Sequence, residues 1–151
     1  MKGRKLFASK MEAEEHFAGF YRDSTQIFSV LEALNKQRLK SELCDVTLKV
    51  FNTKITAHSC VLAAASPYFA DLFCTQDQPR IFSQSNPQEI EIHVDVEGVS
   101  TIPYVTAVSK IIEFMYTNAL ILEVGEIAEV LEMANVMDMK NVIGTHTVIL
   151  N

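Results

Sequence analysis

The chain has 151 residues, 48% of them hydrophobic and 21% charged, which is enough to close one core and too little for two of ordinary size. Its net charge of −6 conceals +4 over residues 1–10, from Lys2, Arg4, Lys5 and Lys10, and so −10 over residues 11–151, a body that repels nucleic-acid backbones. No run approaches the roughly 20 apolar residues of a membrane helix, the basic start lacks the apolar core of a signal peptide, and Cys44, Cys60 and Cys74 form no CxxC, so a cytoplasmic or nuclear protein is expected.

Residues 1–23 mix charges, Gly3, Gly19 and scattered aromatics without a sustained period, and read as a flexible or partner-ordered N-terminal tail ahead of one domain over residues 24–151. From Asp23-Ser24, good helix-capping residues, the pattern turns helical. Ile27, Val30, Leu31 and Leu34 recur at i, i+3, i+4 and i+7, and Phe28 widens the stripe. Val46, Leu48 and Val50 then alternate with Thr47 and Lys49. After a turn at Asn52-Thr53, Lys54-Ile55-Thr56-Ala57 alternates again, which predicts a β-hairpin. Residues 61–65 are too alanine-rich for a strand and predict a short buried helix; Ser66-Pro67 then supplies a cap and a first-turn proline for a helix over residues 68–73.

Residues 75–88 are a polar loop of unusual length, carrying Pro79 and Pro87. Ile90, Ile92 and Val94 predict a third strand. Pro103 opens a helix with the face Val105, Val108, Ile111, Ile112 and Met115, and residues 119–122 read as an edge strand. Two further helical stripes follow, Ile127, Val130, Leu131 and Ala134, then Met139, Val142 and Ile143. The order of elements predicts an α+β domain with a small sheet against a helical layer.

Catalytic signatures are missing: there is no glycine-rich phosphate loop, HExxH, GxSxG or EF-hand loop. Among Cys44, His58, Cys60, Cys74 and His93 only His58-Ser59-Cys60 has a short ligand spacing, so no metal and no cofactor is expected. Asp45, His58 and Ser66 could compose a hydrolytic triad, but nothing sets a serine on a strained turn beside an oxyanion hole. Asp45 and His58 are better read as hydrogen-bonded structural groups, and the chain as no enzyme.

The phrases Leu43-Cys44-Asp45-Val46-Thr47, Ala57-His58, Val61-Leu62-Ala63-Ala64-Ala65-Ser66-Pro67-Tyr68-Phe69 and Ile112-Glu113-Phe114-Met115-Tyr116-Thr117 resemble, in order and spacing, the BTB/POZ domain, over residues 26–142. The resemblance implies a homodimeric protein-interaction fold, a small, mainly three-stranded sheet flanked by helical hairpins, without catalysis. It implies a dimer interface at Ile27, Phe28, Leu31 and Leu34, and a buried structural polar pair, Asp45 and His58, near the dimer seam. It also implies a partner surface at Phe73, Gln76, Tyr116 and Asn118. Ser59 departs from the family, many of whose members carry Lys or Arg there, and Cys74-Thr75-Gln76-Asp77-Gln78 lacks the apolar-x-Glu triplet common in Cullin-3 adaptors.

Two functions compete. Ser66-Pro67-Tyr68-Phe69 resembles Kelch-like substrate adaptors of the Cullin-3 E3 ubiquitin ligase, the expected reading. Leu34-Asn35-Lys36-Gln37-Arg38 resembles the dimerisation and corepressor-recruiting domain of BTB-zinc-finger transcriptional regulators, the alternative. The partners implied are a second copy of the chain and either Cullin-3 or a transcriptional corepressor, with no direct nucleic-acid or membrane contact.

Overall fold

The computed structural model describes residues 19–74 and 83–144. Most of the expected tail, the first part of the long polar loop (residues 75–82) and residues 145–151 lie outside that range. Helix α1 (Gln26–Leu39) starts one step later than its capping pattern suggests. The Asp23 carboxylate accepts the Thr25 N–H (2.9 Å) and hydroxyl (2.6 Å), so Asp23 closes a turn and Thr25 precedes the helix.

Strands β1 (Val46–Val50) and β2 (Thr53–Ala57) pair antiparallel with Val50 opposite Thr53. The turn is therefore Phe51-Asn52 rather than Asn52-Thr53, and Phe51 takes the left-handed φ of 53° that a two-residue hairpin turn demands. Helices α2 (Ser59–Ala65) and α3 (Pro67–Cys74) pack on each other as a helical hairpin, and α2 also meets α4. Ser66 is the hinge between them: its hydroxyl donates to the Met137 carbonyl (2.6 Å) and accepts the Phe69 N–H (3.4 Å), while Pro67 fills the first turn.

Strand β3 (Gln88–Glu91) returns parallel to β1, with Ile90 opposite Leu48, giving the order β2-β1-β3. It is shorter than its alternation: pairing ends at Glu91, although the Ile92 N–H still reaches the Lys49 carbonyl at 2.8 Å. This helix, α4 (Ile102–Thr117), spans the core, burying Ala107, Val108, Ile111 and Ile112. Helices α5 (Ile127–Val136) and α6 (Lys140–Ile143) close the layer.

Three expectations need correction here. Among the described residues, 119–122 pair with no strand. Their alternation is real, with Leu122 buried and Ile121 exposed, but the backbone around them is held by side chains. The Lys110 ammonium donates to the Ile121 carbonyl (3.1 Å) and to the Glu126 carboxylate, whose other contact is the Glu123 N–H (2.8 Å). On α5 the buried stripe is Val130, Met133 and Ala134, running on to Met137, so Leu131 is 42% exposed; periodicity alone misphased the helix by part of a turn. Ile143, at the end of the last short helix, is likewise 40% exposed. Among the described residues no helix is long and apolar enough to cross a membrane.

Candidate functional site

Helix α1 carries a broad apolar face and buries none of its residues. Leu31 and Leu34 are half-buried, and Leu34 packs against the core, but Ile27 is 66% and Phe28 63% exposed, with Val30 exposed beside them. Had the stripe faced only its own domain, as most such stripes do, these side chains would be covered. The helix packs on the body against α4 and β2, and every partly covered residue lies from Leu31 onward, whereas residues 26–30 are exposed. Hiding a side chain of this size from water is worth about 1.5–3 kcal/mol, so the open face is a strong bias toward association.

A polar network lies at the foot of this helix. Asp45 is half-buried rather than fully buried, and it does not bond to His58. Its carboxylate accepts the Ser59 N–H (2.7 Å) and the Ser59 hydroxyl (2.7 Å), covering a donor that the start of α2 leaves without an intrahelical partner. Ser59 thus answers Asp45 with hydrogen bonds at a position where a cation would answer it with charge.

His58 is buried, and both ring nitrogens are engaged. Nε2 stands 3.1 Å from the Glu42 carbonyl oxygen, which can only accept, so the proton sits on Nε2. Nδ1 then accepts from the Tyr116 hydroxyl (2.9 Å), and that same oxygen accepts the His58 backbone N–H (2.9 Å). Burial pushes the Tyr116 hydroxyl well above its ordinary pKa, so it remains a proton donor in this role. Burial likewise raises the Cys44 thiol, whose sulfur lies 3.6 Å from the Glu42 carbonyl and 3.9 Å from His58 Nε2, so Cys44 is held as a thiol. The Ser66 hydroxyl is bonded to Met137 and gives Asp45 and His58 no nucleophile. Among the described residues no three histidine, cysteine or acidic side chains converge as metal ligands.

Of the residues expected to form one exposed partner edge, Phe73 and Tyr116 are buried. Phe73 is 7% exposed because α3 turns its Phe69 and Phe73 rings, one helical turn apart and 5.7 Å between centroids, into the core. Tyr116 is 1% exposed, since it follows Ile112 by four residues on the buried face of α4. Asn118 is exposed, and its backbone explains its identity: it ends α4 in the left-handed conformation, φ 54°, with its N–H on the Phe114 carbonyl at 2.8 Å. Gln76 lies outside the described residues.

Arg38 was missed. Its guanidinium lies over the Tyr116 ring, 5.1 Å from the centroid, and its Nε and one terminal nitrogen donate to Asn35 Oδ1 at 3.0 and 2.9 Å. The signal available was the Asn35-x-x-Arg38 spacing, which puts an acceptor one turn before a planar donor on the helix side that carries Leu34.

Comparison with known proteins agrees with this architecture. The family model described as BTB/POZ domain matches residues 34–150. The chain is 34% identical over 98 residues to zinc finger and BTB domain-containing protein 45 of Homo sapiens, covering 65% of this chain and 16% of that protein. It is 51% identical over 53 residues to zinc finger and BTB domain-containing protein 9 of Mus musculus, covering 35% of this chain and 12% of that one. The matched region is thus a small part of these relatives' length. Among solved structures, the BTB domain of zebrafish PATZ1 superposes with a TM-score of 0.66 at 27% identity, over 83% of this chain and 91% of that one.

Proposed function

The chain belongs to the BTB/POZ domain family, and on that premise we propose that it homodimerises through α1 and recruits a transcriptional corepressor, as the interaction domain of a BTB-zinc-finger type regulator acting in the nucleus. The observation that carries the first half is the open face of α1: a two-fold dimer uses one patch twice, so Ile27, Phe28, Leu31 and Leu34 can complete each other's burial with no second surface. The second half leans on the relatives, whose names join the BTB domain to zinc fingers.

The Cullin-3 adaptor reading has less behind it. Phe73 and Tyr116, on which it relied, are buried, and no apolar-x-Glu triplet follows α3. A corepressor peptide is expected in the groove between the protomers, lined by α1 and the neighbourhood of Asp45 and His58. The test is calorimetry with corepressor-derived peptides and, separately, the N-terminal domain of Cullin-3, on wild type and on Ile27→Asp. The proposal expects a peptide to bind wild type only, and Cullin-3 to give no heat. Cullin-3 binding with no response to any peptide would reverse the choice.

A further inference from the structure

Self-association through α1 requires that the helix leave the body at one angle, and little in the chain holds it. The helix buries no residue fully, and its first five residues, 26–30, are all exposed. Ile27 lies eleven residues before Arg38, about 16 Å along the axis at ~1.5 Å per residue, so a tilt of about 10° at the foot displaces Ile27 by about 3 Å. A packed interface of interdigitating side chains does not absorb a shift of that size.

The foot of the helix is seated by Leu34 against the core and held by Arg38. The grip of Arg38 is directional. Its guanidinium carbon lies over the Tyr116 ring, and Asn35 Oδ1 takes two of its N–H groups, which locks the rotamer from one turn earlier on the same helix. The platform is equally fixed, because the Tyr116 hydroxyl is held by the His58 backbone N–H and Nδ1. A chain of contacts therefore runs from β2 and α2 through Tyr116 to α1, and Arg38 is its last link.

We infer that Arg38 is a positioning residue for self-association, fixing through Asn35 and Tyr116 the angle at which α1 presents Ile27 and Phe28 to a second copy. The motif Leu34-Asn35-Lys36-Gln37-Arg38 then has a physical role: Leu34 seats the helix, and Asn35 and Arg38 orient it. Lysine would not substitute, since its ammonium keeps the charge but cannot place a fixed pair of N–H groups on one acceptor as the guanidinium does on Asn35 Oδ1.

This inference rests on the dimer reading above, and the experiment separates the two. The full chain is compared by sedimentation equilibrium and thermal unfolding as wild type, Arg38→Ala, Arg38→Lys, Asn35→Ala and Ser66→Ala. The last removes the hinge between α2 and α3, far along the chain from α1, and calibrates general loss of stability. Both Arg38 variants are expected to weaken the dimer by about tenfold and Asn35→Ala by about threefold, while Ser66→Ala lowers the melting temperature and leaves dimer affinity unchanged. A wild type that stays monomeric would reject the dimer reading, and this inference with it. A wild-type dimer whose affinity is unmoved by Arg38→Ala and Arg38→Lys would overturn only the role of Arg38, as would affinities that fall in step with melting temperature across all variants, Ser66→Ala included.

Discussion

The Tyr116 hydroxyl oxygen stands 2.9 Å from both the backbone nitrogen and Nδ1 of His58, a residue 58 positions earlier in the chain, and so ties the last turn of α4 to the junction of β2 and α2. One phenol satisfies two polar groups that the core would otherwise leave stranded. Tyr116→Phe is accordingly expected to cost about 1–3 kcal/mol in chemical denaturation with little change in overall shape.

The same bond has a pH signature. The folded state holds the Tyr116 proton more tightly than the unfolded chain does, so it binds more protons than the unfolded state once pH passes the ordinary tyrosine pKa of about 10. The stabilisation is complete below that pH and declines as pH rises above it. Denaturation midpoints measured from pH 8 to 11 should fall at the alkaline end for wild type and less steeply for Tyr116→Phe. Parallel curves would mean that the hydroxyl titrates alike in both states.

Asp45→Ala should lower the melting temperature through a loss of about 1–3 kcal/mol, because the Ser59 N–H and hydroxyl lose their shared acceptor at the start of α2. Asp45→Asn, which keeps one carbonyl acceptor, should cost less. An unchanged midpoint in the alanine variant would mean that water replaces the carboxylate without penalty.

Ile27→Asp should separate the copies without unfolding them, since the side chain is exposed in the single chain and only a partner would bury the charge. Light scattering after size exclusion should give twice the 16.9 kDa chain mass for wild type and the single mass for the variant. Because the seam is apolar, raising salt should leave the wild-type mass unchanged.

Phe73→Ala tests the correction made at the proposed partner edge. A ring packed on Phe69 in the core should cost about 3–5 kcal/mol when removed, visible as poor thermal stability in the isolated protein. A variant as stable as wild type would return Phe73 to the surface.

Asn118 should tolerate glycine and resist branching. At φ 54° Asn118→Gly is expected to be neutral or mildly stabilising, and Asn118→Val to lose about 1 kcal/mol or more, as read by thermal unfolding.

What the sequence determined by itself is what repeats over short distances. The alternation of Val46, Leu48 and Val50 marks a strand with one face buried, Ser66-Pro67 marks a helix start, and the Val108–Ile111–Ile112–Met115 spacing marks the inner face of α4. In each case the signal is the geometry of a single element, and neighbours only had to accept it. The tertiary structure decided whatever depends on which element comes to lie beside which. Residues 119–122 alternate like a strand yet, among the described residues, have no strand to pair with, and strand pairing needs a second run of backbone donors and acceptors. Tyr116 is expected from the resemblance on an exposed edge, but its helix turns it inward onto His58. The apolar stripe of α1 looks the same on paper whether a core covers it or not, because a period states which residues share a face and leaves open what that face meets. In this fold the end of the helix is seated on the body by Leu34 and Arg38, and Ile27, Phe28 and Val30 on that face stand open to solvent.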